Sequence, residues 1–201
     1  MSKLVLLRHG QSIWNLENRF TGWVDVDLTK TGELEAESVA KKLINIKFGL
    51  LCTSMLIRAI RTSFIILNIL KQTNLKVIKS NSLNERHYGY LQGLNKNNVK
   101  KKYGDYIVYS WRRSYSFRPP GGESLKDTEL RVLPFYYKYI VPYLNKNVNI
   151  LVIAHGNSLR SLIKHIENIN KHKIIACEIH TCVPICYLID KTKNITKQIE
   201  I

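Results

Sequence analysis

Leu4-Val-Leu-Leu-Arg-His-Gly-Gln-Ser12, close behind the N-terminus, runs four apolar residues of strand character into an arginine, a histidine and a glycine. The same order returns late in the chain as Ile150-Leu-Val-Ile-Ala-His-Gly-Asn-Ser158. In both places an apolar strand is followed by one residue, His-Gly, a side-chain amide and a serine. Two buried strands ending this way deliver His9 and His155 to one edge of a sheet. In open α/β folds that edge, outside the carboxyl ends of the strands, is where ligands bind. Two apolar strands that merely turn on His-Gly would look the same singly. The repetition, with Arg8 beside the first histidine, favours an anion-binding catalytic pair.

Outward from these strands the pattern alternates. Thr29 can cap a helix reaching about Ile46, with Leu34, Val39, Leu43 and Ile46 at near-helical spacing. Leu50 to Ser54 reads as a strand leading into a helix from about Met55 to Leu70, and Leu75 to Ser80 as a third strand. Asn81 to Asn95 has no period and is dense in functional side chains, so it is a loop. Helices are expected over Lys96 to Tyr103 and Asp105 to Arg113, and the Pro-Pro-Gly-Gly stretch before Glu123 is a loop. Ser124 can cap a long helix to about Tyr143, which Pro134 should weaken or kink. After the second His-Gly strand come a helix over Ser158 to Ile166, a short helix beyond Asn170, and strands near Val183 to Ile189 and Ile195 to Ile199. Strands alternating with helices predict an α/β three-layer sandwich with a largely parallel central sheet flanked by helices, formed by residues 1–201 as one domain.

The 201 residues suffice for a real core, and 45% hydrophobic with 23% charged residues is ordinary for a globular chain. The net charge of +16 is not ordinary. It suits anionic partners such as phosphorylated metabolites, nucleic acid or an acidic surface. A chain rich in Lys, Ile and Asn, as an AT-rich genome would encode, could also carry that charge on solvated faces with no function. Cys52, Cys177, Cys182 and Cys186 have neither CxxC spacing nor a zinc-like partner set, which predicts reduced thiols. With no signal-like segment and no apolar run of membrane-spanning length, the expected location is the cytoplasm.

The chemistry-bearing residues favour a phosphate. A neutral imidazole is nucleophilic near neutral pH, and nearby guanidinium groups keep His9 unprotonated while gripping phosphate oxygens. Arg58 falls in the first turns of a helix after a strand, where anions are favoured. Glu85-Arg-His-Tyr88 packs a carboxylate, two cation-capable groups and a phenol into one loop, and a glutamate whose acid form is favoured beside a phosphate can shuttle a proton. Lys96, Arg112 and Arg113 could hold a second anionic group. Walker, dinucleotide, HExxH and GxSxG patterns are absent. His87, His165, His172 and His180 lack metal-ligand spacing.

Taken together, Leu6-Leu-Arg-His-Gly-Gln-Ser-Ile-Trp-Asn15, Asn18-Arg-Phe-Thr-Gly-Trp-Val-Asp-Val-Asp-Leu28, Glu85-Arg-His-Tyr-Gly-Tyr-Leu-Gln-Gly-Leu-Asn-Lys96, Trp111-Arg-Arg113 and Ala154-His-Gly-Asn-Ser-Leu-Arg160 resemble the cofactor-dependent phosphoglycerate mutases of the histidine phosphatase superfamily. The resemblance implies a phosphohistidine on His9 primed by 2,3-bisphosphoglycerate. Arg8, Arg58 and His155 would stabilise the moving phosphoryl group, and Glu85 would exchange the substrate proton. It further implies a binding set of Gly10, Gln11, Ser12, Asn15, Thr21, Gly22, Arg86, His87, Tyr88, Lys96, Arg112, Arg113, Gly156 and Asn157, no metal, and a homo-oligomer, dimer or tetramer. A phosphatase or bisphosphoglycerate-processing relative is the alternative; Ser12 argues against the bisphosphoglycerate-synthesising kind, which tends to have glycine there. A nucleic-acid or anionic-surface binder has only the charge in its favour.

Three departures stand out. Only Pro119 to Glu123 stands where longer relatives carry an insertion, and a chain stopping at Ile201 implies a short tail that leaves the phosphohistidine more open to water. His180-Thr-Cys-Val-Pro184 has a cysteine where the family usually has glycine, so Cys182 would be strained if that position needs positive φ.

Overall fold

The computed structural model describes residues 1–190, 192 and 194–198. Its sheet joins β1 (Ser2–Arg8), β2 (Leu50–Thr53), β3 (Val77–Lys79), β4 (Ile150–Ala154), β5 (Ile185–Ile189) and β6 (Ile195–Gln198) in the order β3-β2-β4-β1-β5-β6. Pairings from β3 through β1 are parallel; β5 and β6 add antiparallel pairs at one side. The sheet is therefore largely parallel, as expected, with a mixed edge. The last residue of the expected final strand, Ile199, lies outside the described residues.

Alternation along β1 and β4 explains the layering, because successive side chains leave a strand on opposite faces. Leu4, Leu6, Ile150 and Val152 pack against α6 (Leu125–Phe135), α7 (Val141–Leu144) and α8 (Gly156–Ile166). Val5, Leu7, Leu151 and Ile153 pack against α2 (Lys30–Lys42) and α3 (Ile57–Ile69). A third, smaller cluster of Phe20, Leu91, Val99, Val108 and Trp111 lies under α4 (Lys96–Tyr103) and α5 (Asp105–Arg113). That cluster gives the Lys96 and Arg112-Arg113 segments a footing of their own, beside the strand ends. No helix among the described residues is long and apolar enough to cross a membrane.

Local signals set the helix starts. Thr29 accepts from the Gly32 N–H at α2, Asn95 accepts from Asn97 and Asn98 at α4, and Ser124 forms a reciprocal cap with Asp127 at α6. Two helix ends differ from expectation, whereas the helix from Ser124 reaches Leu144 as expected. The α2 helix stops at Lys42, yet Leu43 and Ile46 still bury their side chains, so the apolar spacing outlived the helix. The α3 helix begins two residues late, at Ile57. The long helix after Ser124 passes Pro134 as α6, then widens into a π-turn over Tyr136–Ile140, where the Val141 N–H reaches back to the Tyr136 carbonyl. Pro142, lacking an N–H, follows directly, at the start of α7. A short helix, α1 (Ile13–Leu16), was not anticipated; Ser12 and Asn15 form its reciprocal cap.

Two details bear on the site. A Cβ on Gly10 would lie 2.2 Å from the Gly32 carbonyl oxygen, so the loop carrying His9 presses onto α2 in a way that only glycine allows. Cys182 has φ +51, the left-handed conformation its family position suggested, while its N–H holds the Arg8 carbonyl at 3.0 Å. The strain of a side chain there is carried by the contact that anchors Arg8.

Candidate active site

Register alone brings the two histidines together. Arg8 pairs with Ala154 in the parallel β1–β4 ladder, so the next residues emerge side by side. The His9 N–H donates to the Ala154 carbonyl at 3.1 Å, and the two imidazole centroids are 4.9 Å apart.

The hydrogen bonds assign each ring a role. His9 Nδ1 lies 2.7 Å from the Gly10 carbonyl oxygen, which can only accept, so Nδ1 carries the proton and Nε2 the lone pair. Burial, then the charges of Arg58 and Arg8, push the His9 pKa well below its ordinary value. The result is a neutral nucleophile aimed through Nε2. In His155 it is Nε2 that is engaged, 2.7 Å from Ser54 Oγ, which already accepts from the Leu56 N–H at 3.2 Å. His155 Nε2 is the one acceptor that the Ser54 hydroxyl meets among the described residues, so the hydroxyl hydrogen goes there and Nδ1–H is left as a donor. Burial, then Arg58, also push the His155 pKa far down.

Five buried side-chain nitrogens have no partner among the described residues: Arg86 Nε and Nη1, away from the histidines, and Arg8 Nε, Arg58 Nε and His155 Nδ1 around them. An orphaned buried donor is costly unless a ligand meets it. Other donors of the two arginines fix their aim: Arg8 Nη1 donates to the Ile179 carbonyl at 2.9 Å, and Arg58 to the Val24 and Gly22 carbonyls at 3.0 and 2.8 Å. Burial lowers Arg58 to about 10, still charged at neutral pH. The arrangement fits a phosphoryl group with charge to spare.

Beside it opens a cavity of about 160 Å³ lined by Arg8, Asn15, Arg19, Phe20, Thr21, Gly22, Glu85, Tyr88, Lys96, Arg112, Arg113, Gly156, Asn157 and Arg160. Six of these side chains are cationic, and Glu85 is the one carboxylate. Its Oε1 accepts from the Arg86 N–H at 2.8 Å, the Asn157 N–H at 3.0 Å and Asn157 Nδ2 at 2.9 Å, which leaves Oε2 for a ligand proton. Burial raises the Glu85 pKa, but these bonds and Arg8 outweigh it, and the net direction is down. Without ligand the carboxyl is thus held as the base, not the acid form that repulsion by a bound phosphate would favour. The Glu85 carbonyl is pinned by Trp23 Nε1 at 2.6 Å and Arg131 at 2.9 Å.

A strap of backbone over residues 175–179 aims three of the arginines. The carbonyls of Ile175, Cys177 and Ile179 accept from Arg113, Arg160 and Arg8 at 3.2, 2.7 and 2.9 Å.

Of the residues expected from sequence, Arg8, Asn15, Thr21, Gly22, Glu85, Tyr88, Lys96, Arg112, Arg113, Gly156 and Asn157 line the cavity; His9, His155 and Arg58 are buried and do not line it, but the charge of the lining residue Arg8 acts on all three. Five others do not line it. Gly10 presses on α2, Gln11 bonds Thr29 and Glu35, and Ser12 caps α1. Arg86 is buried, donating to the Tyr88 hydroxyl and the Arg112 carbonyl, and His87 accepts from the Gly89 N–H. Arg19, Phe20 and Arg160 line the cavity without having been anticipated. All three stood inside the quoted motifs, so motif membership was the signal. Among the described residues no His, Cys, Asp and Glu side chains cluster to share a metal ion.

The two suppressed histidines predict a pH dependence. Both are neutral when folded but titrate near 6.5 when unfolded, so the unfolded chain takes up more protons below that pH. Their contribution is whole above pH ~6.5 and is lost as pH falls toward the folded values, at up to about 2.7 kcal/mol per unit for two groups at about 1.36 each. Urea unfolding at about pH 7.5 and about pH 5.5 measures it. A His9→Asn/His155→Asn double variant retaining the wild-type slope would contradict this origin.

Comparison with known proteins agrees with this geometry. The sequence profile of the histidine phosphatase superfamily (branch 1) matches residues 4–199. The 2,3-bisphosphoglycerate-dependent phosphoglycerate mutase 2 of Gloeobacter violaceus is 49% identical over 187 residues, covering 93% of this chain and 85% of that protein. The 2,3-bisphosphoglycerate-dependent phosphoglycerate mutase of Bartonella henselae is 47% identical over 197 residues, covering 97% and 96%. Among solved structures, Bacillus stearothermophilus YhfR superposes with a TM-score of 0.86 at 21% identity over 98% of this chain and 95% of that one, a likeness of fold.

Proposed function

The chain belongs to the histidine phosphatase superfamily, branch 1, and from that premise we propose that it is a 2,3-bisphosphoglycerate-dependent phosphoglycerate mutase interconverting 3-phosphoglycerate and 2-phosphoglycerate in glycolysis and gluconeogenesis. The observation that carries the reading is a neutral His9 with a free Nε2, next in the chain to the cavity-lining Arg8, together with a Glu85 carboxylate whose Oε2 is free in that cation-lined cavity. Transfer to and from a glycerate hydroxyl uses both groups; a phosphatase would use the same pair with water as the acceptor, and the identity to named mutases favours the hydroxyl.

His9 Nε2 attacks a phosphorus of the priming 2,3-bisphosphoglycerate; the P–O bond to the glycerate oxygen breaks, and that oxygen takes a proton from Glu85 in its acid form, which the bound phosphates favour, leaving a monophosphoglycerate and an ionised Glu85. The hydroxyl of a bound monophosphoglycerate then gives its proton to Glu85 Oε2 as its oxygen bonds to phosphorus. The P–N bond breaks and its electron pair returns to His9 Nε2. After the bisphosphate turns over, Nε2 attacks the other phosphorus, and the departing oxygen recovers its proton from Glu85. Arg8 Nε, Arg58 Nε and His155 Nδ1 meet the charge gathering on the transferring oxygens. Lys96, Arg112 and Arg113 hold the carboxylate and the idle phosphate. None of these steps calls on a metal.

The reading extends to residues 1–201 as one domain working in the cytoplasm as a homo-oligomer on a small phosphorylated metabolite, with neither nucleic acid nor membrane as partner. A coupled assay of 3-phosphoglycerate conversion, with and without added 2,3-bisphosphoglycerate, tests it. Activity that depends on the primer is expected. Phosphate release in place of 2-phosphoglycerate would move the reading to a phosphatase.

A further inference from the structure

Arg160, on α8, lies at the cavity wall, and two of its donors are already committed. Nε donates to the Cys177 carbonyl at 2.7 Å and Nη1 to Asn157 Oδ1 at 3.1 Å. A guanidinium can only donate, so the atom it meets on Asn157 is the amide oxygen. That fixes the other end of the amide: Nδ2 faces the Glu85 carboxylate, donating to Oε1 at 2.9 Å. We infer that Arg160 is a positioning residue that locks the Asn157 amide in this orientation and so keeps Glu85 with Oε1 saturated and Oε2 ready to take a proton.

Three features support the relay. Asn157 touches Glu85 twice, through its backbone N–H at 3.0 Å and through Nδ2, so turning the amide would replace a donor with an oxygen facing a carboxylate oxygen. A cation bonded to Oδ1 also polarises the amide and strengthens the Nδ2–H as a donor. Finally, Arg160 is itself held, by a backbone carbonyl, so its orientation does not depend on a ligand. The chain Cys177 carbonyl, Arg160, Asn157, Glu85 runs without a break from the strap to the proton-transfer group. Glu85 favours the charged form of Arg160 in return, although burial lowers the Arg160 pKa overall.

The inference rests on the mutase reading for the use made of Glu85, but its test does not. With glutamate 13C-labelled at the carboxyl, the Glu85 titration is followed by NMR in ligand-free wild-type, Arg160→Met, Arg160→Gln and Arg160→Lys proteins, each checked for folding by circular dichroism. In Arg160→Met the Glu85 midpoint is expected to rise by about one pH unit, the size of one charge-assisted hydrogen bond. The acid limb of the kcat profile should move with it. Lysine restores one donor to Asn157 and should recover part of the shift. A Glu85 midpoint unmoved in the methionine variant, with only KM raised, would make Arg160 a simple anion contact and overturn the relay. Should Arg160→Met fail to fold, the glutamine and lysine proteins carry the same comparison, and an unmoved midpoint in both overturns it equally. Failure of the mutase reading would appear separately, as a wild-type protein that does not isomerise 3-phosphoglycerate.

Discussion

His9→Ala is expected to lower kcat for 3-phosphoglycerate conversion by roughly 10^5- to 10^6-fold, the scale on which removal of a covalent nucleophile acts. No neighbour can stand in. His155 is the one other imidazole at the site, and its Nε2 is occupied by Ser54 while its Nδ1 carries a hydrogen. The arginines would still collect phosphate, so substrate binding should persist while turnover disappears. Incubation with 32P-labelled 2,3-bisphosphoglycerate should give an acid-labile protein label in the wild type and none in the variant. A variant that labels and turns over normally would remove His9 from the mechanism.

Glu85→Gln should reduce kcat by roughly 10^2- to 10^4-fold, the range for a positioned general base. Glutamine is nearly isosteric, and its amide oxygen can keep the three N–H donors that Oε1 now accepts. What it loses is the basic oxygen facing the cavity. The pKa of Glu85 is held down in the ligand-free protein, so the variant tests a base that is ionised from the start. Phosphorylation of His9 should survive at a reduced rate, because the variant loses the proton donor to the departing oxygen but keeps the nucleophile. Rapid-quench labelling beside steady-state turnover separates the two. Full turnover in Glu85→Gln would exclude this residue from proton transfer.

The sheet and its two histidines were legible because a four-residue apolar run ending in His-Gly states both a buried strand and what hangs from its end. Register then did the rest: Arg8 opposite Ala154 makes His9 and His155 neighbours. The direction of a side chain within an irregular loop was not legible. Glu85 and Arg86 are adjacent in sequence, yet Glu85 enters the cavity and Arg86 turns inward to hold Tyr88 and the Arg112 carbonyl. Gln11 and Ser12 follow His9 closely, but the Gln11 N–H and amide oxygen are engaged by Glu35 and Thr29, and Ser12 caps α1. Arg160 was hidden for the opposite reason. It reaches the site only because α8 starts at Gly156, which sets residue 160 one turn beyond Asn157 and on the same face. The helix end at Lys42 was misplaced because apolar spacing reports burial, which continues past the last helical turn.

The strap over residues 175–179 has a consequence for how this site can change. Arg8, Arg113 and Arg160 are gripped there by main-chain oxygens, which every amino acid supplies alike. Spelling is therefore free where length is not: exchanging Ile175, Cys177 or Ile179 leaves the three grips in place. One residue inserted or removed would re-aim three positive charges at once. The segment behaves as a ruler laid beside the cavity, and the quantity it preserves is the spacing of its marks.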